Sequence, residues 1–426
     1  MGPITIAKWI SEGLRAAGPT LAALLGWLFG YPLTWLVPRN PGLTVVLGRP
    51  GRVFADNSKY FFMYATALVR NGERVIMLTS SHEIQARITE AGAESIIHPS
   101  WHSFWLLLRC GTLVTDQAGW FNFGVYPLTR GTTLVQIWHG APLKHIELDV
   151  YQKRLAGTPP LLRPILNFQK AMLGRYPVYD AVVTTSQRFI EDAFQGCFHA
   201  RQFLPCGYPR NDILLARPDR GHGTYRLSSV NVDKPAVETV QIAREEGRSI
   251  VLYVPTFRKD MQDPFQSEIP LPRLSEFAQQ HSLLVVLKLH PVMNGCHPIH
   301  QYPNLLEYAP LGDVYPLMAL TDILITDYSS IFFDFLLLDR PILFFPFDLE
   351  EYLSSDREMY FNYEAMTPGA KCRSYRELER RLAAIVQNGG QDAYKEMRSK
   401  IRSYTHDHTD AQSHHRLICG YLRNLK

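Results

Sequence analysis

The sequence lacks the cysteine spacing of a disulfide-rich or zinc-binding protein. Six cysteines are scattered over 426 residues, and no C-x-x-C pair occurs. This usage is typical of reduced thiols in a cytosolic compartment, so no disulfide is predicted. Two groups contain metal-ligating side chains without the paired spacing of a zinc site, and no metal is predicted from them: Cys296, His297 and His300, and His406, His408, His414 and His415.

Nucleotide fingerprints and a strong charge excess are also missing. Neither G-x-x-x-x-G-K-[ST] nor G-x-G-x-x-G occurs, which argues against a P-loop ATPase and a dinucleotide oxidoreductase. With 44 basic and 40 acidic residues, the chain lacks the basic surplus of a dedicated nucleic-acid binder, and no nucleic-acid partner is predicted. A hydrophobic content of 46 % supports folded cores, and the length is enough for about two or three domains.

Charge is absent from one long stretch near the N-terminus. Residues 20–38 contain no charged side chain, although Gly and Pro interrupt the run and no signal-peptide cleavage site follows it. Trp27, Tyr31 and Trp35 suit the headgroup level of a bilayer, so residues 1–40 are predicted to associate with a membrane. The alternative is a helix packed on the protein's own core.

A second stretch bears on the same question. Residues 150–179 contain five basic side chains and no acidic one, interleaved with leucines, prolines and aromatics: Lys153, Arg154, Arg163, Lys170 and Arg175. This mix suits an anionic membrane face. A solvated helical surface is the alternative.

The rest of the chain alternates short β-branched runs with helical stretches, which predicts parallel sheets flanked by helices. The predicted strands fall in two series: 52–56, 74–78, 112–116, 133–138 and 181–185, then 249–255, 283–289, 322–326 and 341–345. The polar, Gly- and Pro-rich stretch between the series predicts a linker at 216–240. Two Rossmann-like domains are therefore expected, at 41–215 and 241–385, followed by C-terminal helices at 386–426.

Four predicted strands end on side chains suited to phosphate. They are followed by His139-Gly140, by Thr256 and Arg258, by His290-Pro291, and by Asp327 with Ser329-Ser330. Ligands of open α/β sheets bind beyond the carboxyl ends of the strands, so these residues predict one site. Ser329 and Ser330 could instead cap a helix, Arg258 could pair with a surface acid, and His290 could be a core histidine.

Asp334 lies inside the apolar run IFFDFLLL. A buried carboxylate is costly unless it has a partner, so Asp334 should face a polar cavity, a basic side chain or a ligand hydroxyl. The cavity is favoured over a purely structural ion pair.

The sequence resembles a known family, the CDP-glycerol glycerophosphotransferases of teichoic-acid and capsule synthesis. Five segments carry the resemblance, in family order: WHGAPLK (138–144), GYPRND (207–212), YVPTFR (253–258), LKLHP (287–291) and TDYSSIFFDFLLLDRPILFFPFDLEEY (326–352). One departure is Ala141, where the family commonly has threonine.

The resemblance implies an α/β GT-B architecture, with the acceptor half first and the nucleotide half second. It implies transfer of glycerol phosphate from CDP-glycerol to a hydroxyl, with release of CMP. His139 would be the base, and His290 would be a second catalytic residue at the donor. Substrate binding is expected of the remaining motif residues: Gly140, Lys144, Arg210, Asn211, Asp212, Thr256, Arg258, Pro291, Asp327, Ser329, Ser330 and Asp334.

The sequence leaves several alternatives open. Asp116, His145 and Asp212 are the other candidates for the base. The donor could be CDP-ribitol or a sugar nucleotide, and Mg²⁺ could accompany the donor diphosphate. A non-catalytic membrane scaffold is the alternative from another class, and a homo-oligomer is left open. The expected acceptor is a lipid-linked glycan, which places the chain at the cytoplasmic face of the cell membrane as a peripheral protein.

Overall fold

The structure, a computed structural model, contains two parallel β-sheets. It describes residues 18–48, 53–215, 226–256, 265, 268–290, 297–355, 358–409 and 414–424. The first sheet has the strand order β3-β2-β1-β4-β5-β6-β7, and the second has the order β10-β9-β8-β11-β12-β13. The strands are β1 Asn40–Leu47, β2 Arg74–Thr79, β3 Ser95–Ile97, β4 Cys110–Thr115, β5 Thr133–Gln136, β6 Val178–Val183, β7 His199–Leu204, β8 Ser249–Val254, β9 Leu283–Leu287, β10 Leu305–Glu307, β11 Ile323–Thr326, β12 Ile342–Phe344 and β13 Ala370–Lys371.

Helices connect the strands and cover both sheets. Those of the N-terminal half are α1 Tyr31–Leu36, α2 Asp56–Ala67, α3 His82–Glu90, α4 Trp101–Arg109, α5 Glu147–Ala156, α6 Arg163–Leu173, α7 Gln187–Phe189, α8 Gln195–Cys197 and α9 Asp212–Leu215. Those of the C-terminal half are α10 Lys234–Glu245, α11 Leu271–Gln280, α12 Tyr315–Leu320, α13 Ile331–Phe335, α14 Leu349–Ser355, α15 Tyr363–Met366, α16 Tyr375–Gln387, α17 Lys395–Thr405 and α18 His414–Asn424.

The predicted α/β class with two parallel sheets is confirmed. One predicted strand, 52–56, is wrong: residues 53–55 are irregular, and α2 begins at Asp56. The sequence VFAD suggested a β-strand, but the strand of this region is β1, whose Pro and Gly at its start hid it. The short strands β3, β10 and β13 were too brief to give a pattern of their own.

The two sheets occupy residues 40–204 and 249–371. Of the predicted linker, 216–225 lie outside the described residues, and α10 begins inside it at Lys234. α18 returns to the N-terminal half, where Arg423 donates to the backbone oxygen of Leu68 at 2.8 Å. The C-terminal helices therefore pack across both halves.

Helix α2 also joins the halves. Lys59 of α2 is fully buried and forms a 2.7 Å ion pair with Asp313 of the C-terminal half. Its ammonium also donates to the backbone oxygens of Ser228 (3.0 Å) and Val230 (2.9 Å). The hydroxyl of Tyr60 donates to the same carboxylate at 2.8 Å. Because these contacts are buried and join residues of both halves, they hold the two halves together.

The N-terminal segment packs along one side of the first half. Residues 18–36 are helical, with a π-helical turn at Gly26–Gly30. The indole of Trp27 donates to the backbone oxygen of Met172 in α6 at 2.9 Å. A β-carbon at Gly30 would lie 3.6 Å from Phe104 of α4. Within the described residues, no helix is long and apolar enough to cross a membrane.

Candidate active site

The loop after β5, residues 137–142, is here called the base loop. Trp138 (φ 41°) and Gly140 (φ 152°) turn the chain within it. The side-chain amide of Asn57 in α2 donates to the backbone oxygens of Ile137 (3.1 Å) and Trp138 (2.8 Å). Because the buried helix α2 holds the carbonyls of the two residues before His139, the backbone position of His139 is fixed.

The His139 ring is oriented by the strand next to it. Its Nδ1 atom lies 2.8 Å from the backbone oxygen of Asp116, which follows β4. A carbonyl oxygen only accepts, so Nδ1 carries the hydrogen and donates it. In the neutral imidazole the lone pair is then on Nε2. The indole of Trp138 packs against the ring, with the centroids 4.0 Å apart. The fold thus selects the tautomer that a general base requires.

Gly140 brings the base loop against the C-terminal half. A β-carbon at this position would lie 3.2 Å from Oγ of Ser330 and 3.3 Å from Nη2 of Arg210. Its φ of 152° is also one that residues with a side chain rarely adopt. Glycine is therefore what lets the loop that carries His139 reach Ser330.

The two serines lie between β11 and α13. Ser330 is the N-cap residue of α13, and its side chain makes no capping hydrogen bond. Oγ of Ser329 accepts from the backbone N–H of Ile331 at 3.4 Å. Both serines are half-buried. Capping therefore occupies only the hydroxyl of Ser329, while the hydroxyl of Ser330 lies at the base loop.

Asp327 joins the ends of two neighbouring strands. It is buried, and its carboxylate accepts from the backbone N–H (2.9 Å) and the hydroxyl (2.6 Å) of Thr256, which follows β8. It also accepts from the backbone N–H of Tyr328 at 2.5 Å. Asp327 thus fixes the chain shortly before Arg258, a predicted donor-binding residue that lies outside the described residues.

Arg210 lies in a 3-10 turn, Pro209–Asn211, and is 3 % exposed. Its Nη1 atom donates to the backbone oxygen of His139 at 2.7 Å and to the carboxylate of Asp56. Its Nη2 atom donates to Asp334 at 2.6 Å. Burial lowers the pKa of Arg210, but Asp334 and Asp56 outweigh burial and hold that pKa well above its usual value. The guanidinium is therefore permanently charged, and its contacts are with protein.

Asp334 is 1 % exposed. One carboxylate oxygen accepts from Arg210 at 2.6 Å and from the hydroxyl of Tyr315 at 2.7 Å. The other oxygen has no hydrogen-bond partner among the described residues. Of the environments expected from the sequence, the structure provides a basic side chain, supplied by the other half. A donor contact of Asp334 stays a prediction.

His290, the second predicted catalytic histidine, is exposed and lies three residues beyond the end of β9. Desolvation and the charge of Lys288 lower its pKa. Lys288 donates to the backbone oxygen of Ala309 at 3.1 Å, and burial lowers the pKa of Lys288 to about 8. Pro291 lies outside the described residues, so this arm of the predicted site ends at His290.

Lys144 lies at the junction of the halves. It forms an isolated antiparallel bridge with Met359, and its ammonium contacts the hydroxyl of Tyr352. The ring of Tyr352 stacks on that of Tyr328, with centroids 3.7 Å apart and planes 11° apart. Because Tyr328 directly precedes Ser329, Lys144 is connected to the serine pair through these two rings.

Asp212 has a different set of contacts from the other predicted residues. Its carboxylate accepts from the backbone N–H of His414 at 2.9 Å and lies 2.5 Å from Nδ1 of His415. Burial raises the pKa of Asp212, but the hydrogen bonds and charges of His414 and His415 together outweigh burial and hold that pKa below its ordinary value. Asp212 thus anchors the C-terminal helix α18.

Asn211 is fully buried, and its side-chain amide has no hydrogen-bond partner among the described residues.

Three residues of this arrangement were not predicted: Asp56, Asn57 and Tyr315. The signal in the sequence is a polar run, Asp56 to Lys59, directly before the apolar stretch Tyr60–Met63. Such a run would ordinarily be exposed at the start of a helix. Here all four polar residues are buried. Among the described residues, no group of three or more His, Cys, Asp or Glu side chains is arranged to hold a metal ion.

Two parallel sheets meeting at a shared site define a two-domain α/β protein of GT-B-like architecture. The family model for CDP-Glycerol:Poly(glycerophosphate) glycerophosphotransferase matches residues 30–420. The chain therefore belongs to this family and is a glycerophosphotransferase enzyme.

The relatives include poly(glycerol phosphate) polymerases and a ribitol-phosphate primase. A teichoic acid poly(glycerol phosphate) polymerase of Bacillus spizizenii is 25 % identical over 343 residues, which are 78 % of this chain and 81 % of that protein. The polymerase of Bacillus subtilis strain 168 is 27 % identical over 273 residues, 62 % of this chain but 34 % of that longer protein. A teichoic acid ribitol-phosphate primase of Bacillus spizizenii is 27 % identical over 273 residues, 63 % of this chain and 64 % of that protein.

A solved structure shares the fold. The wall teichoic acid polymerase TagF superposes with a TM-score of 0.69 at 21 % identity, covering 97 % of this chain and 98 % of that chain. A variant of TagF has also been studied after a 15-minute soak with CDPG.

Proposed function

We propose that this enzyme transfers glycerol phosphate from CDP-glycerol to an acceptor hydroxyl in teichoic-acid-like polymer synthesis, with release of CMP. The new bond joins the acceptor oxygen to the β-phosphorus of the donor, and the bond from that phosphorus to CMP breaks. The hydroxyl proton goes to Nε2 of His139. The observation that carries the proposal is that His139 has the tautomer of a base and that its loop lies against Ser330.

The chemistry of the surrounding residues fits this transfer. Displacement at phosphorus needs a base near the incoming hydroxyl and hydrogen-bond donors on the phosphoryl oxygens. His139 supplies the base from one half, and Ser330 supplies a hydroxyl from the other. Arg258 and His290 are the proposed cationic and imidazole contacts of the donor. Mg²⁺ with the donor diphosphate stays a prediction.

The donor is tested by competition. The purified chain is incubated separately with CDP-glycerol, CDP-ribitol and a sugar nucleotide, together with an acceptor, and nucleotide release is measured. Faster release from CDP-glycerol is expected. Preference for CDP-ribitol would instead favour CDP-ribitol as the natural donor, an alternative that the ribitol-phosphate primase among the relatives supports. Turnover of a sugar nucleotide alone would overturn both, and so would the absence of turnover with every donor.

The proposed acceptor is a lipid-linked glycan or glycerol-phosphate chain at the cytoplasmic face of the membrane. Support comes from an exposed apolar surface, here called the apolar face. It is made by the N-terminal helical segment, α4 and the 160–168 region: Leu21, Leu24, Leu25, Leu28, Phe29, Trp35, Leu36, Trp101, Trp105, Leu161, Ile165 and Phe168. The hydrogen bond from Trp27 to α6 and the proximity of Gly30 to Phe104 of α4 place these elements side by side.

The spacing within the N-terminal segment separates two faces. Ala23, Gly30 and Thr34 are buried against the protein, whereas Leu28 and Trp35 are about two-thirds exposed. A soluble helix would normally place polar residues outward. Arg130 lies over the Trp35 ring at 3.3 Å, so a cation borders the apolar side chains. An anionic bilayer matches apolar residues bordered by cations.

Membrane attachment is tested with point variants that spare the packed face. Leu28→Ser combined with Phe29→Ser should weaken sedimentation with anionic liposomes. Ile242→Ser is the matched control, because Ile242 is similarly exposed but lies in α10 of the other half. High salt should reduce binding that depends on the cations. Equal binding by the double variant and the control, in low and high salt, would show that this face does not contact lipid.

A further inference from the structure

Arg210 was predicted from the sequence to bind substrate, and its surroundings indicate another role. The guanidinium contacts three elements: the base loop through the backbone oxygen of His139, α2 through Asp56, and α13 through Asp334. At 3 % exposure, it offers almost no surface to a ligand.

The three contacts belong to both halves. Asp56 and His139 are in the N-terminal half, and Asp334 is one turn beyond Ser330 in the C-terminal half. Nη1 holds the first two, and Nη2 holds the third. A planar guanidinium donates in fixed directions, so it sets the separation of its acceptors in a way that a lysine cannot.

Aromatic rings complete the enclosure. The guanidinium carbon lies 5.3 Å from the Tyr208 ring centroid and 5.0 Å from that of Tyr315. Tyr315 in turn donates to Asp334 at 2.7 Å. The guanidinium is therefore flanked by two rings, and one of them is bound to the same carboxylate.

We propose that Arg210 is a positioning residue, which ties the carbonyl of His139 to Asp334 and so holds the base at a set distance from the donor side of the site. This inference rests on the proposed transfer reaction. It identifies the residue that aligns the N-terminal half of the protein, which carries the base, with the C-terminal half, which carries the proposed donor contacts. A one-ångström displacement of a reacting group is enough to lower a rate by about a hundredfold. Arg210 thus acts on the turnover step rather than on donor affinity.

The first test separates kcat from KM. Arg210→Lys retains the charge but not the fork, and Arg210→Ala leaves a cavity. Both should lower kcat by about tenfold to a hundredfold, with KM for the donor within about threefold of wild type. Added guanidinium should restore part of the kcat of Arg210→Ala and none of that of Arg210→Lys. A rise in donor KM with unchanged kcat would overturn the proposal and return Arg210 to substrate binding.

Lys59→Met is the matched control. Lys59 is also a buried cation of the interface between the halves, and it lies one turn after Asp56 in α2. It does not contact the base loop in any described hydrogen bond. This variant should lower the melting temperature yet keep kcat within about threefold of wild type. If it lowered kcat as much as Arg210→Lys, loss of interface stability alone would explain both, and the proposal would fail.

The measurements distinguish this inference from the proposed function. The donor that wild type turns over is established first, and every variant is compared with wild type on that donor. An unexpected donor would overturn the proposed function while leaving the kcat and KM ratios of Arg210 interpretable. If Arg210→Ala does not fold, Arg210→Lys with a circular-dichroism melt still decides the question.

Discussion

Lys59 and Asp313 form an ion pair of 2.7 Å with side chains 0 % and 1 % exposed. Burial lowers the pKa of Lys59, and the Asp313 carboxylate opposes that effect. Since the partners come from different halves, the pair makes the stability of each half depend on the other.

Asp313→Asn should therefore destabilise the whole protein. Removal of one member of a buried pair typically costs about 3–5 kcal/mol, because the other charge is left uncompensated. Urea unfolding should show one transition at a lower midpoint. The double variant Lys59→Met/Asp313→Leu should recover part of the loss. An Asp313→Asn protein as stable as wild type would show that the pair contributes little.

His139→Ala should lower transfer by about a hundredfold or more, the usual scale for a lost acid–base group. Donor affinity should change little, because the proposed donor contacts lie in the other half. Single-turnover kinetics and donor binding would be measured side by side. The wild-type rate should also fall at acidic pH, as protonated imidazole cannot accept the hydroxyl proton. A variant that keeps near wild-type turnover would direct the search to Asp116, His145 and Asp212.

Gly140→Ala should lower kcat while leaving most of the fold intact. The new methyl would lie 3.2 Å from Oγ of Ser330 and 3.3 Å from Arg210, at a φ of 152°. The base loop must then move away from the serine. Gly157→Ala is a suitable control, since the nearest atoms to its β-carbon position are 3.7 Å away. Wild-type kcat in Gly140→Ala would show that the close approach is unnecessary.

Acid stability should depend on His406. Burial, then the charges of His414 and Arg402, lower its pKa to about 3 from an ordinary 6.5. Between these values the unfolded chain binds a proton that the folded chain does not, so stability rises with pH across this window. The stabilisation is present above pH 6.5 and is lost as the pH falls toward 3. His406→Gln should flatten the change measured by urea unfolding from pH 7 to pH 5, relative to wild type.

The sequence predicted the alternation of strands and helices because apolar, β-branched runs mark buried parallel strands. It also predicted the residues at strand ends, since the carboxyl edge of such a sheet is where ligands bind. It could not predict β1, whose Pro41 and Gly42 obscure a strand, or the burial of Asp56 to Lys59. Burial of that polar run depends on carboxylates, backbone carbonyls and the Arg210 guanidinium, supplied by residues 58 to 254 positions away, and no local pattern encodes them.

The same limit applies to the roles of individual site residues. The motif around GYPRND identified Arg210 and Asp212, but not what each contacts. Arg210 reaches across to Asp334, and Asp212 holds α18 through His414 and His415. Each role is set by a partner from a distant part of the chain, so it emerged only with the tertiary structure.

The apolar face has a consequence for handling the protein in water. Leucine and tryptophan side chains that stay in contact with solvent favour burial against any available apolar surface, including another copy of the chain. Self-association in detergent-free buffer would then grow with protein concentration and weaken when a mild detergent covers Leu28 and Phe29. An oligomer observed by gel filtration without detergent would therefore be explained first by association through this face, rather than by a biological assembly.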